Sequence, residues 1–119
     1  MKYKFERYNY LDERDNLNKT TSLILIENEA KYGTYFSTEI KNLRLSYLRE
    51  IVTSLEQVLS GNLQQYDFGY EAYSIECNKN TSSIIDIYDD CKTIIELPTH
   101  EIYKFMKDWK DHLTENQNN

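Results

Sequence analysis

The sequence predicts an α+β fold, in the order ββ-α-βββ-α, with two helices packed on a largely antiparallel sheet. Three observations predict it. First, Ile40, Leu43, Tyr47, Leu48, Ile51, Val52, Leu55, Val58 and Leu59 recur at three- and four-residue steps, the stripe of one amphipathic helix. Second, the segments on either side of that stripe alternate polar with apolar residues or carry short β-branched runs, which is strand chemistry. Third, Ile102, Phe105, Met106, Trp109 and Leu113 return to helical spacing near the end. Strands grouped before and after one central helix, without βαβ alternation, indicate α+β rather than α/β.

In chain order, Lys2 to Tyr10 sets Tyr3, Phe5 and Tyr8 among charged residues and reads as an edge strand. Leu11 to Lys19 has no apolar period and reads as a turn or mobile connector. Leu23-Ile24-Leu25-Ile26, inside a strand from Thr20 to Asn28, has the composition of a strand buried on both faces. Glu29 to Phe36 is a loop around Gly33, with Tyr35-Phe36 stapling the entry to a helix from Ser37 to Gly61. Ser37 or Thr38 caps that helix, Glu39 sits well in its first turn, and Gly61-Asn62 stops it. Tyr66, Phe68 and Tyr70 alternate in one phase and Tyr73, Ile75 and Cys77 in the other, so a bulge or bend falls near Glu71. Ser83–Tyr88 and Lys92–Leu97 form a hairpin across Asp89-Asp90. Pro98 and Thr99 open the last helix, and the polar tail 114–119 frays.

The 119 residues make one domain, 1–119, with enough apolar (39%) and aromatic (13%) content for a packed interior. No apolar run follows Met1-Lys2 and none approaches a membrane span, so the expectation is a soluble, cytoplasmic protein without membrane contact. In a reducing compartment Cys77 and Cys91 are free thiols. The net charge of −6 is concentrated: 62–101 holds eight acids against Lys79 and Lys92, and the remainder balances twelve acids with twelve bases.

Several chemistries lack their residues. His100 and His112 stand about 18 Å apart on one helix, too far to share a metal or a proton. No C-x-x-C, glycine-rich loop or G-K-[ST] occurs. Net acidity opposes nucleic-acid binding, and Lys104, Lys107 and Lys110 are interrupted by Asp108 and Asp111 as on a solvated face. Glu27 with Glu29 would share a strand face, as would Asp67 with Glu71 if no slip intervened. Asp89-Asp90 is a cation candidate at a hairpin tip, although turn aspartates need no metal. The expectation is therefore no enzyme activity, no metal and no cofactor.

The acidic, tyrosine-rich block from Tyr66 to Glu96 is the strongest candidate surface. Its carboxylates suit a basic protein partner, and tyrosines make rigid anchors once covered. Asp67, Glu71, Asp86, Asp89 and Asp90 are the candidate charge contacts, with Tyr70, Tyr73 and Tyr88 as anchors. The segments Leu59-Ser60-Gly61-Asn62, Tyr66-Asp67-Phe68-Gly69-Tyr70, Ile94-Ile95-Glu96-Leu97-Pro98-Thr99 and Phe105-Met106-Lys107-Asp108-Trp109 resemble immunity proteins of bacterial contact-dependent growth inhibition and related polymorphic toxin systems. The resemblance covers about the second half of the chain. It implies a non-enzymatic inhibitor that binds and neutralises the C-terminal domain of a cognate toxin, often a nuclease with a basic active site, and it assigns no residue a role; the chain itself is expected to be a monomer or weak dimer. A small carboxylate-dependent metal- or ligand-binding enzyme, and a homo-oligomeric adaptor pairing through Lys2–Tyr10, are the alternatives.

Overall fold

The computed structural model describes residues 1–32 and 34–116; Gly33, expected in mid-loop, and the end of the tail at 117–119 lie outside the described residues. Strands β1 (Tyr3–Asp12) and β2 (Leu17–Ile26) form a two-stranded antiparallel hairpin. Short turns lead from there into the main helix: α1 (Glu29–Tyr32), a π turn (Tyr35–Glu39) and a 3-10 turn (Ile40–Asn42), then α2 (Leu45–Ser60). Strands β3 (Tyr66–Gly69), β4 (Tyr73–Cys77), β5 (Thr81–Asp86) and β6 (Lys92–Pro98) make one antiparallel sheet in sequence order, and α3 (Thr99–Asn116) follows. The class is α+β, with four strands after α2 where three were expected. The phase slip near Glu71 is a bend between two paired strands.

The 11–19 connector is instead the ordered end of the hairpin. Asp12, almost fully buried, accepts hydrogen bonds from the Arg14 main chain at 3.0 Å, from Arg14 Nε and Nη2 at 3.1 and 2.8 Å, and from Lys19 Nζ at 2.8 Å. The Arg14 side chain, then Lys19, holds its carboxyl well below the usual carboxylate range. Charges that satisfy one another on a ribbon with no buried face leave no apolar period to read. Two-sided burial also fails in Leu23–Ile26, because a two-stranded ribbon is covered on one face only: Ile24 is buried and Leu25 faces outward.

The helix expected from Ser37 begins only at Leu45. Leu43 turns extended at ψ 137°, and Arg44 is the extended residue before the helix. Ser37 and Thr38 do not cap; both hydroxyls bond back to the Thr34 carbonyl at 3.3 and 2.6 Å. The break lets Tyr35, Phe36, Ile40 and Leu43 all reach the core. Gly61 ends α2 as expected, at φ +87°, with the amides of Gly61 and Asn62 bonded to the Val58 and Gln57 carbonyls.

Both helices cover one face of the four-stranded sheet. Leu48, Ile51 and Leu55 of α2 and Ile102, Phe105, Met106 and Trp109 of α3 meet Phe68, Ile75, Ile84 and Leu97. Cys77 lies in this core, and burial pushes its thiol up to about 11, so it is an unreactive side chain. Tyr3 and Phe5 seat the hairpin on α3, with rings 4.8 and 6.1 Å from that of Phe105. Tyr35 Oη is fully buried and has no hydrogen-bond partner among the described residues. Tyr35→Phe is therefore expected to raise stability by about 1 kcal/mol, read as a higher urea midpoint.

His112 closes the same seam, stacked 5.5 Å from Trp109 and 2.9 Å from Ser22 Oγ. Burial, then the charge of Arg7, lowers its pKa from 6.5, against a smaller opposing effect of Glu115. The unfolded chain thus binds more protons as pH drops below that value. The contribution of His112 is complete above about pH 6.5, is lost on acidification, and levels off once the folded-state pKa is passed. Thermal denaturation at stepped pH should show this slope, and His112→Asn should remove it.

Candidate partner-binding surface

Alternation fixes which acids share a face. In the sheet Phe68, Ile75, Ile84 and Leu97 point to the helices, so their neighbours point away. Register then aligns Asp67, Glu76, Ser83 and Glu96 in one row across all four strands, on the face the helices leave open. Directly opposed carboxylates such as Asp67 and Glu76 disfavour the sheet, and Gln65 Nε2 eases this by donating to Asp67 Oδ1 at 2.9 Å.

The remaining candidates meet at one end of the sheet. The β3–β4 bend carries Tyr70 and Glu71, and the β5–β6 turn carries Tyr88, Asp89 and Asp90, with Asp86 at its root. Because Tyr73 pairs with Asp86, the two turns are neighbours, and the Ile87 amide bonds the Ala72 carbonyl at 2.9 Å. Asp86 Oδ1 accepts the Tyr88 amide at 3.0 Å, and the Asp89 carbonyl accepts the Lys92 amide at 2.9 Å. Asp90 and Cys91 take positive φ of 50° and 55° to close the turn. The β3–β4 bend is held from below. Glu39 accepts the amides of Glu71, Ala72 and Tyr73 at 3.1–3.3 Å. A Cβ on Gly69 would lie 2.3 Å from the Tyr73 carbonyl oxygen, so only glycine allows this approach.

Seven of the eight sequence-predicted residues therefore lie on the open face or at this end. Tyr73 does not: it is half-buried against Tyr35, ring centroids 5.5 Å apart, and is a packing residue rather than a surface anchor. Tyr88 is 80% exposed and Tyr70 49%, with Ile87 at 44% beside them. Sequence reasoning missed Ile87 and the face residues Glu76 and Glu96, all of which strand alternation could have flagged. It also missed Glu39, whose task depends on a bend distant in sequence.

This surface is distinguished by how many acids gather on it without a counter-charge. Elsewhere Glu6, Asp12, Asp15, Asp108 and Asp111 are ion-paired, while Glu13, Glu27, Glu29, Glu39, Glu50, Glu56 and Glu115 form no ion pair among the described residues. Among the described residues Asp67, Glu71, Glu76, Asp86, Asp89, Asp90 and Glu96 form no ion pair, and of the eight acids in 62–101 only Glu101 does, with the N-terminal ammonium at 2.9 Å. Glu27 and Glu29 do not share a strand face, because Glu27 follows the end of β2 while Glu29 starts α1; a break does intervene near Glu71, as a bend, and it parts Asp67 from Glu71. Among the described residues no three His, Cys, Asp or Glu side chains converge as metal ligands, and no helix is long and apolar enough to cross a membrane. The chain matches no protein-family model, no curated protein and no solved structure.

Proposed function

We propose that this protein is an immunity protein that binds and neutralises a cognate toxin domain, without catalysis, in the cytoplasm of the cell it protects. The observation that carries this reading is the unpaired acidic end of the sheet. Glu71, Asp86, Asp89 and Asp90 lie on the same two neighbouring turns as the exposed side chains of Tyr70, Ile87 and Tyr88. Exposed aromatic and apolar side chains among charged ones suit a protein interface, and the sign selects a basic partner such as a nuclease active-site surface. Asp67, Glu76 and Glu96 extend the same potential over the open face and favour rapid capture. The resemblance to immunity proteins of contact-dependent growth inhibition points the same way.

The test starts from the gene immediately upstream, which this reading expects to encode a large exported protein with a variable C-terminal domain, and co-expresses that domain with this chain. Growth arrest by that domain, relieved by this chain and not by its Tyr88→Ala, Tyr70→Ala variant, is the expected result. Arrest unrelieved by the intact chain, or no stable complex on co-purification, would overturn the reading.

A further inference from the structure

Strand β1 is paired on one side only, since the hairpin is a two-stranded sheet. The bond from the Glu27 amide to the Lys2 carbonyl sets its phase: Lys4, Glu6, Tyr8 and Tyr10 turn their main-chain groups to β2. Those of Tyr3, Phe5, Arg7, Asn9 and Leu11 therefore point outward. Among the described residues no hydrogen bond of this chain takes them up. The strand runs ten residues with no glycine, proline or register shift. Such an edge is a template for another strand.

Charge selects the occupant. Hairpin residues 1–28 carry five acids and five bases, in a chain of net charge −6. A second copy is thus repelled by the acidic sheet but not by the hairpin. Pairing two outward edges requires odd residues opposite odd residues. Among the antiparallel registers with extensive overlap, one sets Glu6 against Glu6 of the other copy, one Arg7 against Arg7, and one Glu6 against Asp12. The remaining register sets Lys4 opposite Asp12, Phe5 opposite Leu11, Glu6 opposite Tyr10, Arg7 opposite Asn9 and Tyr8 opposite itself. It alone has no like charges directly opposed. It also centres on the exposed Tyr8, beyond the stretch that Tyr3 and Phe5 seat on α3.

We propose that β1 pairs with β1 of a second copy of this chain, antiparallel, with the two-fold axis at Tyr8. The contact runs from Lys4 to Asp12 and is smaller than the standard interface of about 1,600 Å², so the dimer exchanges with monomer. It leaves the acidic end of the sheet free. In sedimentation velocity the weight-average mass should rise with concentration across the micromolar range, and Tyr8→Glu, which sets two carboxylates face to face, should hold the chain monomeric with an unchanged circular dichroism spectrum. Tyr8 opposite Tyr8 is a non-hydrogen-bonded pair, with Cα atoms about 4.5 Å apart. In a Cys91→Ser background, Tyr8→Cys should therefore oxidise to a covalent dimer. Glu6→Cys, displaced from its symmetry mate by about 13 Å along the strand, should not. A monomer at every concentration, a dimer indifferent to Tyr8→Glu, or equal cross-linking of the two cysteine variants would overturn the proposal.

Discussion

Replacing Phe105 by alanine is expected to lower the unfolding free energy by about 3–5 kcal/mol. Against a total of about 5–15 kcal/mol for a domain of ordinary stability, this is the largest single-residue effect we anticipate. Phe105 is fully buried, and its ring lies 4.8 Å from Tyr3, 5.0 Å from Phe36 and 6.1 Å from Phe5. It thus joins α3 to the hairpin and to the π turn, three parts of the chain with no sequence proximity. A cavity there cannot close by moving one element. The urea midpoint should fall sharply with the slope preserved, and Phe105→Leu, which keeps more of the volume, should lose less. A shift no larger than that of exposed Tyr8→Ala would show that the hairpin is not seated there.

The second large effect is local and bears on the binding surface. Glu39 is the acceptor for three consecutive amides of the β3–β4 bend. Hydrogen bonds to a charged group contribute about 1.5–3 kcal/mol, and Glu39→Ala strips the acceptor from all three amides at once, so a loss of about 2–3 kcal/mol is expected. Glu39→Gln keeps one oxygen and should lose about half as much. Amide hydrogen exchange locates the effect: Glu71, Ala72 and Tyr73 should lose protection in Glu39→Ala while α2 retains it. Uniform loss across the molecule would mean that Glu39 serves global stability rather than the bend that presents Tyr70 and Glu71.

What the sequence made legible follows from where periodicity survives. The stripe from Leu48 to Val58 and that from Ile102 to Trp109 face a continuous core, and both read correctly as helices. Ser37 to Leu43 misled because the spacing of Ile40 and Leu43 also fits a helix, while the chain turns extended at Leu43 and Arg44 before α2 begins. The distal hairpin was illegible as strand because neither face is buried and Asp12 collects its own counter-charges from Arg14 and Lys19. The acidic block was visible as a charge excess. Its gathering at one end depends on the Tyr73–Asp86 register and on Glu39, both long-range, and the inward turn of Tyr73 depends on Tyr35.

The central claim is that the unpaired carboxylates at the sheet end attract a basic toxin domain. Stopped-flow association with the cognate toxin domain, over a series of salt concentrations, tests it most directly. The variant is Asp86→Asn, Asp89→Asn, Asp90→Asn, which retains an oxygen at position 86 for the Tyr88 amide. At low salt its association rate should fall about tenfold or more, and its dependence on salt should flatten. An unchanged rate with an unchanged salt slope would contradict the account.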